Sequence, residues 1–158
     1  MARLGVTGHI HLTPDTVDLI RRELVTRLQG YRTGLVGVSC LAPGADTIFA
    51  AAVLAAGGRV EVVLPARKYR DHGVPAAAVQ VFDALLARAE KVRVMPYEEP
   101  AAEAYQAANK AVLSDIERLF AVWDGGSGGP GSTAETVRSA RDRGIPVEIV
   151  WPAGARRA

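Results

Sequence analysis

The sequence predicts an α/β domain in which a mostly parallel sheet of about six strands is covered by helices on both faces. Three observations predict it. Short β-branched runs alternate with longer segments of helical spacing along the whole chain. Several of these runs are apolar nearly throughout, as strands buried on both sides tend to be. A glycine-rich segment separates the fifth run from a helical one, where such a sheet carries its ligand loop.

The elements follow in order. Residues 4–7 are the first strand, and Thr13 with Pro14 supplies an N-cap and a proline at the first helical position. Val17, Ile20, Leu24 and Leu28 then recur on one face until Gly30. Residues 35–39 form the second strand, and a helix runs from about Ala45 through Ile48, Phe49, Ala52 and Val53 to Gly57-Gly58, where a left-handed C-cap is expected. The third strand is at 60–64, and the third helix takes Val79, Phe82, Leu85, Leu86 and Ala89. After a fourth strand at 92–95, a fourth helix takes Tyr105, Ala108, Val112 and Ile116 and leads to a fifth strand at 119–123. The last helix, with Val137 and Ala140, ends near Gly144 before a sixth strand at 147–150. With right-handed crossovers this order gives a Rossmann-like three-layer αβα sandwich. One domain is expected over residues 1–152, with a short C-terminal tail at 153–158 in which Arg156-Arg157 reads as a frayed end.

At 158 residues and 49% hydrophobic content the chain can bury a full core without disulfide or metal staples. Nineteen basic residues against seventeen acidic ones, scattered through predicted helices, make a dedicated nucleic-acid binder the less favoured reading. Cys40 has no partner for a disulfide, and the N-terminus runs into a strand without the apolar region of a signal peptide, so a cytoplasmic location is expected. Apolar stretches such as residues 48–56 fall short of the roughly 20 residues of a membrane span, so no membrane partner is expected.

In a parallel sheet the loops after the strands share one edge, so residues 8–13, 40–46, 65–75, 96–100 and 124–132 are expected to converge. The strongest signal lies in the last of them. Five glycines in the seven positions 125–131 precede Ser132, Thr133 and a helix. Glycine lets backbone amides turn inward, and a helix N-terminus carries about half a positive charge, so Gly128, Gly129, Gly131, Ser132 and Thr133 are candidate phosphate-binding residues. A flexible turn is the alternative. No lysine follows Gly131 as a Walker A loop requires, which excludes ATP hydrolysis of that type.

Other candidates carry two readings each. Gly8 and His9 end the first strand, where His9 either donates to a phosphate or ribose or is a solvated loop histidine. Gly44 and Asp46 open the second helix, with Asp46 either capping it or contacting ribose or base. Asp124 either orients ribose hydroxyls or starts the turn, and Trp123 is core or pocket wall. Tyr105 and Asn109 share a helical face, and core packing explains Tyr105, whereas Asn109 reads as a pocket-facing amide. His72 reads as exposed and Cys40 as a small buried residue. His9, His11, Cys40 and Asp46 match no metal-ligand spacing, so neither a metal nor a resident cofactor is expected.

Residues 128–135, GGPGSTAE, resemble the GGxGTxxE segment of the LOG-type phosphoribohydrolases, with Ser132 replacing threonine. Pro43-Gly44-Ala45-Asp46 and the run from Ala55-Ala56-Gly57-Gly58 to Leu64-Pro65 resemble that family's second strand-helix unit. Within the wider SLOG superfamily of Smf-like and LOG-like Rossmannoids, Gly5-Val6-Thr7-Gly8-His9 and the stretch from Ala108 to Gly125 are closer to a branch with a GxTGHR start and an AVWDG…GGT end. The resemblance implies binding or sensing of a nucleotide or nucleotide-derived metabolite. Its alternatives are cleavage of the N-glycosidic bond of a nucleoside 5′-monophosphate, and carriage of a phosphate-bearing cofactor such as molybdopterin. For the cleavage it implies a catalytic role for Glu135, but Asn109 occupies the position of that family's catalytic arginine, which implies weak or absent hydrolysis. Arg67 and Lys68 are the candidates to replace that cation. The family's habit of pairing through helices beside the pocket implies a homodimer.

Overall fold

Six strands, β1 (Ala2–Gly8), β2 (Leu35–Ser39), β3 (Arg59–Leu64), β4 (Lys91–Val94), β5 (Arg118–Val122) and β6 (Val147–Ile149), form one sheet in the order β4-β3-β2-β1-β5-β6. Every pairing is parallel, in a computed structural model that describes residues 2–31 and 33–158. The helices are α1 (Pro14–Leu28), α2 (Ala45–Ala55), the short α3 (Tyr69–His72), α4 (Val79–Ala87), α5 (Ala102–Leu113) and α6 (Thr133–Asp142).

The sheet divides two cores, as strand alternation requires. Leu4, Val6, Phe120 and Val122 pack with Ile20 and Leu24 of α1, Phe49 and Val53 of α2, and Phe82 of α4. Val38, Val63 and Leu119 pack with Ala108 and Val112 of α5 and Ala140 of α6. This is the expected three-layer αβα arrangement. The chain winds outward from β1 to β4, then α5 carries it back across the sheet to β5, on the other side of β1. The direction of winding reverses between β1 and β5, and the crevice above their carboxyl ends is where such sheets bind ligands.

Local signals act as their chemistry dictates. Thr13 Oγ1 accepts from Thr16 N–H at 3.3 Å to cap α1, and Gly57, with φ of +82°, follows the C-cap of α2. Three helical readings differ from expectation, the first at Ala89, which lies beyond the end of α4 at Ala87. Helix α5 starts at Ala102 and stops at Leu113, where Ser114 turns its hydroxyl back to the Ala111 carbonyl at 2.7 Å. Ile116 therefore lies beyond the helix, though it stays buried in the same core. Helix α3 interrupts the segment read as the loop 65–75.

The C-terminal tail is not frayed. Arg156 N–H donates to Thr16 Oγ1 at 2.7 Å, Thr13 N–H to the Arg156 carbonyl at 3.3 Å, and Ala158 N–H to the His11 carbonyl at 2.9 Å. Leu12 and Arg157 form an antiparallel bridge. The tail satisfies backbone groups just ahead of α1 that would otherwise face solvent or remain unpaired.

Candidate functional site

The loop after β1 is tied to both of its neighbours. His9 N–H donates to the Val122 carbonyl at 3.0 Å and Ala45 N–H to the His9 carbonyl at 3.2 Å, so α2 begins against the end of β1. That approach leaves no room for side chains. A Cβ on Gly8 would lie 2.4 Å from Ala45 Cβ, and one on Gly44, whose φ is +85°, would lie 2.6 Å from the His9 carbonyl oxygen. Gly8 and Gly44 are thus required by packing.

The His9 ring is buried, edge-on to Trp151 at 5.6 Å. Its Nε2 lies 3.1 Å from both the backbone nitrogen and the Oδ1 of Asp124. Burial, and then the nearby Arg157 charge, lower its pKa, which favours the neutral ring that accepts from the Asp124 N–H. His9 therefore joins the β1 and β5 loops. Asp124 starts the glycine turn, with Oδ1 accepting from Gly126 N–H at 2.9 Å. That bond, followed by His9, holds its carboxyl below the usual range. Trp123 Nε1 donates to the Gly126 carbonyl at 2.9 Å and closes the turn.

Ser132 caps α6, its Oγ accepting from Glu135 N–H at 3.2 Å, while the Glu135 carboxylate accepts from Gly131 N–H at 2.8 Å. The Ser132 N–H is taken by the Gly129 carbonyl at 3.1 Å. Among the described residues, the amides of Thr133 and Ala134 have no protein acceptor and open onto the crevice. Three of the five loop glycines, those nearest Ser132, differ in kind. A Cβ on Gly128 would strike Ser132 Cβ at 2.6 Å, Gly131 holds φ of +81°, and Gly129 faces open space.

Two cavities meet at Gly8, Ile10, Gly131 and Thr133. The first, about 340 Å³, lies over the glycine loop between Gly8, His9 and residues 126–128 and 131–134, and Arg157 from the tail reaches it. Arg157 Nη1 is 3.8 Å from Asp124 Oδ2. The second, about 270 Å³, runs beneath it between β1, the start of α2, the β3 loop and α5. Its walls are Val6, Pro43, Pro65, Tyr69, Tyr105 and Ala108, with Thr7, His11, Cys40, Asp46 and Asn109 among its polar groups. Tyr105 is 36% exposed and lines this cavity edge-on to Tyr69 at 6.2 Å, so it is pocket wall and not core.

Asp46 does not cap α2. Its Oδ2 accepts from Ala42 N–H at 3.3 Å, and burial pushes its pKa up to about 7 against that donor's opposing pull. Ser39, fully buried, holds the segment by donating to the Asp46 carbonyl and accepting from Leu41 N–H, each at 3.1 Å. Leu41 has φ of +56°, a strain of the kind that collects at binding sites. Burial, then Asp46, raises the pKa of Cys40 well above the ordinary thiol value, so Cys40 remains an unreactive thiol in the wall.

Other expectations fall outside these cavities. Arg67 and Lys68 line neither, and lie 3.7 and 3.8 Å from the carboxylates of Glu98 and Glu99. The loop 96–100 accordingly packs on the loop 65–75 instead of joining the crevice. Glu135 opens onto a separate groove between α5 and α6, which Asn109 borders as well as the second cavity. His72 is exposed and paired with Glu99 at 2.6 Å. Arg157 is the site group that sequence reasoning missed; its one signal was a basic pair after the last strand. Among the described residues no cluster of three or more His, Cys, Asp or Glu could hold a metal, and no helix is long and apolar enough to cross a membrane.

No family model matches the sequence, and no curated protein matches it significantly. Solved structures do. DNA processing protein A from Streptococcus pneumoniae superposes with a TM-score of 0.67 at 21% identity, over 94% of this chain and 50% of its own. DNA processing protein A from Helicobacter pylori, described for its single-stranded DNA binding mode, gives 0.68 at 21%, over 94% and 64%. The molybdenum cofactor binding protein from the phototrophic bacterium Rippkaea orientalis gives 0.60 at 17%, over 94% and 75%. This chain thus spans half to just under two thirds of the two DNA processing proteins. Likeness at such identities establishes architecture, and the chain carries the Rossmann-like αβα fold of these proteins, the fold that its SLOG resemblance implied.

Proposed function

We propose that the protein binds or senses a nucleotide or nucleotide-derived metabolite, with its phosphate over the glycine loop and its ring in the cavity beneath. The observation that carries this reading is the meeting of two unlike cavities at the switch point. One offers unpartnered first-turn amides of α6 and the Arg157 guanidinium; the other offers aromatic and aliphatic walls with few polar groups. A helix N-terminus and a guanidinium favour an anion, and an apolar slot favours a planar ring. The Thr133 and Ala134 amides, the Ser132 and Thr133 hydroxyls and Arg157 are the groups proposed to hold the phosphate.

N-glycosidic hydrolysis is the weaker reading. Glu135 is engaged by Gly131 N–H, and the position of the family's arginine is filled by the uncharged Asn109. Turnover of common nucleoside monophosphates is expected below the usual enzyme range of about 1–10³ s⁻¹. Carriage of a phosphate-bearing pterin cofactor draws on the same two cavities, and the fold shared with a molybdenum cofactor binding protein supports it. A single-stranded nucleic acid, as in the Helicobacter pylori protein, would present its phosphates to the same loop.

A thermal-shift panel tests the proposal: nucleoside mono-, di- and triphosphates, dinucleotides, the matching nucleosides and a short oligothymidylate. Ligand at a hundred times its Kd adds about 2.7 kcal/mol, worth roughly 5–10 °C in a domain of this size. Phosphorylated compounds are expected to stabilise the protein more than their nucleosides do. Equal shifts from nucleosides would refute the phosphate site, and a response to the oligonucleotide alone would replace the small ligand by nucleic acid.

A further inference from the structure

Asp46 has no role in holding a phosphate, yet it lies in the wall of the ring cavity. Its residue is 8% exposed, and Oδ2 receives one long hydrogen bond, from Ala42 N–H at 3.3 Å. Among the described residues Oδ1 has no protein donor, and no lysine or arginine lines this cavity. A carboxyl so enclosed, with one long hydrogen bond, gains from further donors that a ligand brings. Asn109, on α5, lines the same cavity, and its carboxamide likewise has no protein partner among the described residues. The cavity also has an aromatic boundary in Tyr69 and Tyr105. It therefore joins an acceptor pair, a donor-acceptor amide and flat apolar walls.

We propose that Asp46 reads the donor edge of a planar heterocycle, a ring N–H beside an exocyclic amine, while Asn109 meets the ring's other polar groups. The chemical class is a phosphate ester of a 2-amino-4-oxopyrimidine-type ring, with guanine and pterin as its two common forms. This rests on the phosphate site proposed above. An adenine-type edge sets its amine beside a bare ring nitrogen, whose lone pair opposes the carboxylate. Hypoxanthine retains the ring N–H but lacks the amine. Sites built to hydrogen-bond a group discriminate strongly against analogues that lack it.

The test is calorimetric binding of GMP, IMP, AMP and 6-hydroxymethylpterin monophosphate to the wild-type protein, to Asp46→Asn and to Asn109→Ala. At least one of GMP and the pterin phosphate is expected to bind ten times or more tighter than IMP and AMP, and which of them does so identifies the source of the ring. Asp46→Asn is expected to erase that preference while leaving AMP affinity within about twofold. Equal affinity for GMP, IMP, AMP and the pterin phosphate in the wild type would overturn the assignment but leave the phosphate site intact, as would a preference that survives Asp46→Asn. Failure of every phosphorylated compound to outbind its dephosphorylated form would overturn the phosphate site, and this inference with it.

Discussion

Asp46→Asn also makes a quantitative prediction about stability. The wild-type carboxyl titrates at about 7 in the folded protein against an ordinary 3.8, because burial disfavours the ion. Between those values the folded state keeps a proton that the unfolded chain has released, so unfolding free energy falls as pH rises, by up to 1.36 kcal/mol per pH unit. The contribution is complete below pH 3.8, is lost as pH rises through about 7, and is flat above that. A shift of about 3 units sets a ceiling of about 4 kcal/mol, reduced by any water that enters the cavity. Asparagine has nearly the same shape, keeps an oxygen for Ala42 N–H and does not ionise. Urea unfolding of both proteins at half-unit steps from pH 4 to 8.5 provides the assay. The stability of Asp46→Asn relative to the wild type should grow by about 2–4 kcal/mol between pH 4 and 7.5, then level. A difference constant within about 0.5 kcal/mol would refute a buried, proton-holding carboxyl and would move Asp46 into water.

Three further outcomes follow from the site's geometry. His9→Phe keeps a ring against Trp151 but leaves the Asp124 N–H without its acceptor, a loss of about 1–3 kcal/mol, or roughly 2–12 °C in melting temperature. The wild-type contribution is present above pH 6.5 and is lost as pH falls through the lowered folded pKa, so the gap should narrow in acid; a pH-independent gap argues against a neutral His9. Gly131→Val forces a β-branched residue to φ of +81° and should destabilise the fold by about 1–2 kcal/mol or more, whereas Gly129→Val meets no neighbour and should leave melting unchanged; equal melting temperatures for the two variants would refute the distinction. Arg157→Gln preserves the backbone bonds of the tail, so it should spare stability yet lower affinity for phosphorylated ligands tenfold or more and flatten its salt dependence; calorimetry at two salt concentrations reads both.

The fold was legible because periodicity marks strands and helices where burial is two-sided or one-sided, and the crossover rule then orders them. The site was legible in part. Glycines 125–131 announced a turn before a helix, but sequence could not separate Gly131, held at positive φ, from Gly129, which nothing crowds. Tyr105 follows the same helical spacing as the core residues Ala108 and Val112, and a one-dimensional pattern does not reveal that the face opens into a cavity at that turn. Arg67 and Lys68 drew attention as cations, although Glu98-Glu99, one loop away, was the clue to their engagement. Arg157 escaped because its placement depends on backbone bonds to Thr13 and Thr16, which leave no periodic trace.

The tail's attachment has a consequence for the timing of assembly. Arg156 and Thr16 are 140 positions apart, and the bond between them closes nearly the whole chain into a loop. Contacts of such separation form late, after the entropy of closing that loop has been overcome. On a ribosome adding about 5–20 residues per second, the sheet and the glycine loop are made before the guanidinium. A growing chain can therefore hold a finished αβα core while its anion site still lacks Arg157. Ligand would then stabilise chains that include Arg157 more strongly than shorter nascent ones.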